Sequence, residues 1–275
     1  MIPVLYSDEP ARLAAIRERG LAGLAAFTVS NPPAEVPDTY RRVADDLWRM
    51  QHHKCCYCEK LVETSFNDVE HYRPKLRAER QPGSDAVYGY WWLAWTWRNL
   101  LFACPQCNRS GKNDAFPLSP GSAPLLPGEQ PPGSEQPLLP HPGEVDPLES
   151  IRFVPVVRND GDVINWEVVP RDGSETGAVA IRVLKLNRPD LRSLRDAFFR
   201  EWLRGDVDDL RQAMDSGDPE RFRDEWFVLM VRRLRAQSSF AGFTHDVYDH
   251  FFPEDERRRM GVVLRRPGQQ SDFDD

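Results

Sequence analysis

Four of the five cysteines fall into two C-x-x-C pairs, Cys55 with Cys58 in "CCYC" and Cys104 with Cys107 in "ACPQCN". Such short spacing lets one loop present two thiolates to one ion, and two pairs supply the four soft ligands of a tetrahedral zinc. The competing reading, cysteines packed as small hydrophobes, does not account for two matched pairs. The 45 residues between the pairs exceed the span of a simple zinc ribbon, so a substructure must be inserted there. Cys56 cannot form C-x-x-C with Cys58 and reads as a buried or free thiol. His52 and His53 lie near enough to Cys55 to be spare ligands, but four cysteines already suffice.

The inserted part contains "NDVEHYRPK". A β-branched Val69 precedes Glu70 and His71, and Pro74 stops the strand. Neighbouring side chains of a strand project to opposite sides, so Glu70 and His71 share a site only if a distortion redirects one of them. Taken alone, this pair is a carboxylate beside a surface histidine. Asn108 follows Cys107 directly. With a helix starting near Cys107, Asn108 lies in its first turn and Lys112 one turn later on the same face. A helix N-terminus favours a phosphate. Lys112 is then either a contact to a nucleic-acid backbone or a solvated lysine, and the same two readings apply to Arg73, Lys75 and Arg109.

The elements around these residues must come from a 275-residue chain, long enough for one large domain or two smaller ones. With 40% hydrophobic and 29% charged residues it reads as globular, and no apolar run reaches the ~20 residues that span a bilayer. No secretory leader is legible at the start, which predicts a cytoplasmic protein without a membrane partner. Clustered cysteines then suggest metal rather than disulfides. The net charge of −7 is a poor global match to nucleic acid, where a basic surface supplies most of the affinity. Residues 70–115 nevertheless hold seven basic against four acidic side chains.

The pattern predicts a capped helix over about residues 9–26 and a second in "PDTYRRVADDLWRMQHH", with Val43, Leu47 and Met50 on one face. Residues 117–147 contain ten prolines and four glycines, which no helix or central strand survives. This stretch is either a flexible linker or, since "PLL" occurs twice in it, an extended segment lying on the fold. "IRFVPVVRNDGDVINWEVVP" reads as a β-hairpin around "NDGD". Helices follow, one with Leu191, Leu194, Phe198, Trp202 and Leu203 on a shared face and one with Phe222, Trp226, Met230 and Leu234. "YGYWWLAWTW" offers Trp91, Trp92, Trp95 and Trp97, which suit core packing better than stacking on unpaired bases. The resulting organisation is an N-terminal helical segment (1–52), a metal-bearing core (53–118), a Pro-rich connection (119–150), a hairpin with a helical region (151–266) and a disordered tail (267–275).

The order "CCYC", "EHYRP", "NL", "CPQCN" resembles the zinc-braced HNH endonucleases. Within them, "VEHYRPK", "CPQCNRSGK", "DAFPL" and "EQPLL" are similar to the HNH subunit of Septu-type anti-phage systems, a group also found in retron operons. The resemblance is strong over about 55–118 and weaker through "TGAVAIRVLKLNRPDLRSLR". It implies an α+β fold with a ββα-metal core braced by a four-cysteine zinc site. It also implies phosphodiester hydrolysis with His71 as general base, Glu70 and Asn108 as ligands of a catalytic Mg²⁺ or Mn²⁺, and Asn99 shaping the loop that carries His71. Hard oxygen donors suit such a cation, as sulfur suits structural zinc. The implied partners are a nucleic acid, DNA favoured over RNA such as tRNA, a PtuA-like ATPase, and in a retron a reverse transcriptase. A zinc-braced binding module without chemistry is the alternative. Glu70 departs from the Asp commoner in the wider HNH pattern.

Overall fold

In a computed structural model, described for residues 1–267 except 2, 82, 86 and 160, the chain forms nine α-helices and three two-stranded sheets among those residues. Helix α1 (Ala11–Leu24) buries Leu13, Ile16 and Leu24. Gly20 is required on this helix, because a Cβ there would meet the Trp95 ring at 2.6 Å. A 3₁₀ turn over Asp38–Val43 leads into α2 (Ala44–Met50), with Val43 and Leu47 buried and Met50 partly so.

Strand β1 (Asp68–His71) pairs antiparallel with β4 (Leu100–Ala103), Glu70 opposite Leu101 and His71 opposite Leu100. Between them, β2 (Arg77–Ala78) and β3 (Val87–Tyr88) form a small ladder of their own. All four residues of β4 are buried, so its sequence "LLFA" shows no alternation. Helix α3 (Pro105–Cys107) follows at once and runs into a π-turn, Asn108–Lys112, closed by the Asn113 N–H on the Asn108 carbonyl at 2.6 Å. Gln51 ties the first cysteine loop to β4, its amide exchanging two hydrogen bonds of 2.8 Å with the Phe102 backbone. The four tryptophans 91, 92, 95 and 97 are at most 6% exposed, which makes them core rather than a stacking platform.

The Pro-rich connection lies on this core. Leu125 and Leu139, one from each "PLL", are buried, Leu138 N–H donates to the Pro117 carbonyl, and Trp92 Nε1 donates to the Glu129 carbonyl. Glu135 sits at the centre of the attachment. It is buried, pairs with Arg73 at 2.7 Å, and accepts from the Tyr90 hydroxyl and the Leu125 N–H.

Strands β5 (Ile151–Val157) and β6 (Val163–Pro170) make the expected hairpin, with a register shift at Val156/Val157. Six helices follow: α4 (Glu175–Val183), α5 (Pro189–Phe198), α6 (Arg204–Asp215), α7 (Pro219–Arg233), α8 (Ala241–Phe251) and α9 (Glu254–Met260). Phe222, Trp226, Met230 and Leu234 are all buried. The other expected face needs correction, because Leu194 and Trp202 are exposed while Phe199 is buried. A second π-turn, Phe199–Leu203, explains part of this. Its extra residue per turn rotates everything beyond it, so α-helical spacing no longer marks one face. No helix among the described residues is long and apolar enough to cross a membrane. Residues 268–275 of the expected tail lie outside the described residues.

Candidate metal centre and active site

Two tight turns that are far apart in sequence bring the cysteines together. Cys55, Cys58, Cys104 and Cys107 are buried, and their ligand atoms lie within 4.8 Å of one another. Cys58 Sγ and Cys104 Sγ are 3.9 Å apart. A tetrahedral ion with Zn–S bonds of about 2.3 Å separates its sulfurs by about 3.8 Å, so this donor set fits zinc. None of the five cysteines is in a disulfide. Cys56 stands outside the cluster and is buried. His53 is stacked on Trp48 with ring centres 3.7 Å apart, and neither it nor His52 joins the cluster. No other group of three or more His, Cys, Asp or Glu side chains converges among the described residues.

Strand β1 runs past this cluster without distortion, so its side chains alternate. Asp68 and Glu70 meet the segment after Cys107. Asp68 takes two hydrogen bonds from Arg109 (2.9 and 2.6 Å) and one from Asn108 Nδ2 (3.1 Å). Glu70 Oε1 lies 2.8 Å from Lys112 Nζ and accepts from the Tyr57 hydroxyl at 3.2 Å. His71 lies among other partners. Its Nε2 is 3.0 Å from the Ala94 carbonyl, and its ring meets Tyr40 edge-on at 4.5 Å. Glu70 and His71 are therefore adjacent in sequence but engaged with different parts of the fold. Lys112 links them, since the same Nζ donates to the His71 carbonyl at 2.9 Å.

A carbonyl can only accept, so Ala94 assigns the proton to Nε2 of His71 and leaves the lone pair on Nδ1. Burial above all, with Lys75 and Lys112 adding repulsion, holds the His71 pKa well below 6.5. The ring is neutral at neutral pH. Asn99 organises the loop that follows. It accepts from Arg73 N–H at 2.8 Å and donates to the carbonyls of Arg73 (3.2 Å) and Leu93 (3.1 Å), one residue before Ala94.

A divalent cation on Glu70 and Asn108 would find donors of the right chemistry but a position already taken. The Lys112 ammonium, fully buried, neutralises Glu70, whereas Asn108 donates only its amide nitrogen to Asp68 and keeps the oxygen that would meet a cation. As arranged, these residues do not fit a divalent ion. The four candidate nucleic-acid contacts separate in the same way. Arg73 and Lys112 are buried in ion pairs, Lys75 is half-buried over the Tyr40 ring, and Arg109 is exposed. Asp68 was missed by the sequence reasoning, although its i, i+2 spacing from Glu70 in "NDVEH" places both on one face of a strand. Nothing local signals Tyr57 or the Ala94 carbonyl.

The chain is similar to a Septu protein. It is 36% identical over 152 residues to the Septu protein PtuB of Bacillus mycoides (strain KBAB4), covering 54% of this chain and 48% of that protein. The match thus spans about half the length of the relative. No protein-family profile matches the chain, and no solved structure matches it.

Proposed function

We propose that the chain is an HNH-type, metal-dependent endonuclease that hydrolyses nucleic-acid phosphodiester bonds in Septu-type anti-phage defence, controlled by a PtuA-like ATPase. The observation that carries the chemistry is His71. A general base must be unprotonated, with its acceptor nitrogen determined, and the neutral ring with Nε2 committed to Ala94 meets both conditions at Nδ1. Nδ1 takes the proton from the attacking water. Asn99 keeps the loops of Arg73 and Leu93 in place around that ring. The antiparallel pair β1–β4 followed by the cysteine-held turn supports the reading of a ββα core. The similarity to a Septu protein supports the defence context. The requirement for Mg²⁺ or Mn²⁺ rests on the resemblance, and no step here passes through that ion.

An ATPase partner accords with the charge. The chain carries −7 overall, and two cations of its basic stretch, Arg73 and Lys112, are spent inside the fold. Such a chain gains from a partner that captures substrate. A reverse transcriptase is a reading of the resemblance alone. The second reading, a zinc-braced binding module, is favoured by one observation, the Glu70 carboxylate closed by Lys112.

The test incubates the protein, alone and with a PtuA-like ATPase, with plasmid DNA and with tRNA in Mg²⁺ or Mn²⁺. Cutting by the wild type and none by His71→Ala is expected. Equal cutting by both removes His71 as base, and no cutting under any condition favours the binding module.

A further inference from the structure

The stretch "KLNRPDL", which leads from the end of α4 into α5, lies far from the cysteines in sequence, yet it reaches them. Asn187 clamps this turn to β6, its amide exchanging two hydrogen bonds of 2.8 Å with the Val168 backbone. Arg188 then extends toward the cluster. Its Nη1 is 3.5 Å from Cys107 Sγ and also donates to the carbonyls of Leu184 (3.3 Å) and Lys185 (3.4 Å), while Nε meets Asp190 at 3.2 Å. Its Nη2 is buried without a hydrogen-bond partner among the described residues. A separate contact brings the same two segments together. Gly111 in the π-turn packs on the end of α4, where a Cβ would come within 3.3 Å of the Val183 carbonyl oxygen and 3.4 Å of the Leu184 one.

Charge explains why an arginine stands here. Four thiolates around a divalent ion carry a net charge of −2, and a buried charge requires a counter-charge or hydrogen bonds. Arg188 is 11% exposed and holds its guanidinium against one of the sulfurs. Arg195, two turns along α5, is 2% exposed, has an unpartnered Nε, and lies within electrostatic range of Cys58. An unpartnered buried N–H is costly in an uncharged surrounding and less so beside an anionic cluster.

We propose that Arg188 is a positioning residue of the zinc centre: from the C-terminal helical region it donates an N–H to the Cys107 thiolate, offsets part of the cluster's charge and docks the α4–α5 turn on the ligand next to Asn108. Arg195 adds a second, more distant positive charge. Zinc retention by the core thus depends on the C-terminal helices, and the α4–α5 turn depends on zinc. The inference rests on the zinc reading of the cysteines and not on the nuclease reading, so an inactive protein leaves it standing.

The test uses the full chain. Zinc content per chain and the rate of zinc transfer to a chromogenic chelator are measured for wild type, Arg188→Met and Arg188→Lys. Outer-shell partners of metal ligands are worth roughly 10- to 100-fold in affinity. Arg188→Met is expected to lose zinc on the order of tenfold faster or more, and Arg188→Lys, which keeps the charge without the fork, to fall between the two. Loss at the wild-type rate by Arg188→Met overturns the proposal. Where Arg188→Met does not fold, a wild-type rate in Arg188→Lys overturns it. Hydrogen exchange on wild type gives the reciprocal reading: stripping zinc is expected to deprotect the amides of residues 184–188, and unchanged exchange contradicts the coupling. A wild-type protein that binds no zinc removes both the zinc reading and this inference.

Discussion

The cysteine cluster and the Glu70–His71–Asn108 set sit side by side on the same short elements, yet they behave in opposite ways. Four thiols from two turns converge on one point, with no competing partner inside the group. The charged and polar set divides instead: Glu70 takes Lys112, Asn108 takes Asp68, and His71 takes Ala94. The difference follows from chemistry. A buried thiol costs little to leave unpaired, so cysteines can wait for an ion. A buried carboxylate is costly unless a cation meets it, and the nearest cation in this chain is Lys112. Paired thiols thus remain free to converge on a metal, while buried oxygen donors are covered by protein partners.

The largest effect belongs to the cluster. Cys107→Ser is expected to lose zinc and cooperative unfolding together, since a structural zinc contributes on the order of 10 kcal/mol. Metal analysis beside a thermal melt checks it, and a variant keeping one zinc and the wild-type melt would break the contrast. Next comes the ion pair. Lys112→Met leaves Glu70 buried without a cation and should cost about 3–5 kcal/mol in urea unfolding. Combining it with Glu70→Gln should return most of that loss, and strict additivity of the two changes would show that the pair is not coupled.

A smaller effect comes with pH. His141 is buried, its Nε2 donating to the Arg98 carbonyl and its Nδ1 accepting from Gly143 N–H. Burial lowers its pKa from 6.5, outweighing the pull of Glu144. Below pH 6.5 the unfolded chain binds this proton and the folded one resists it. Stability is therefore complete above 6.5 and falls as pH drops toward the folded pKa. His71 adds to the same slope, so His141→Gln should reduce it without abolishing it in melts between pH 7 and pH 5, and an unchanged slope assigns it to other groups. The smallest effect is at the surface. Arg109→Ala removes a pair whose guanidinium is exposed and whose Asp68 carboxylate is nearly buried, and should lower the melt only slightly because Asn108 still donates to Asp68. If Arg109 contacts phosphate, duplex binding weakens without regard to sequence, with the salt slope reduced by about one. Unaltered binding makes it surface charge only.

Much of this was legible in the sequence for the same reason that separates the two centres. Paired cysteines declare a site by spacing alone, and the hairpin 151–170 declares itself by β-branched runs around "NDGD". The destination of Lys112 was not legible. Helical spacing puts it one turn beyond Asn108, either on a phosphate or in solvent. The structure has a π-turn there and a buried ammonium on Glu70. The expected position of Trp202 did not hold for a related reason, since no local signal marks the second π-turn. The Pro-rich connection read equally as linker or as attached segment. What attaches it, Glu135 on Arg73 and Tyr90, depends on residues 45 or more positions away. Arg188 is a longer-range case still, 81 positions from the sulfur it meets.

The central claim is that sulfur holds the structure while the adjoining polar residues do the chemistry, and Asn108 stands at the boundary. Zinc content and plasmid cleavage, measured on one preparation of Asn108→Ala with the proposed PtuA-like ATPase added, test it most directly. The account predicts one zinc per chain and no cutting. Loss of zinc, or cutting at the wild-type rate, contradicts it.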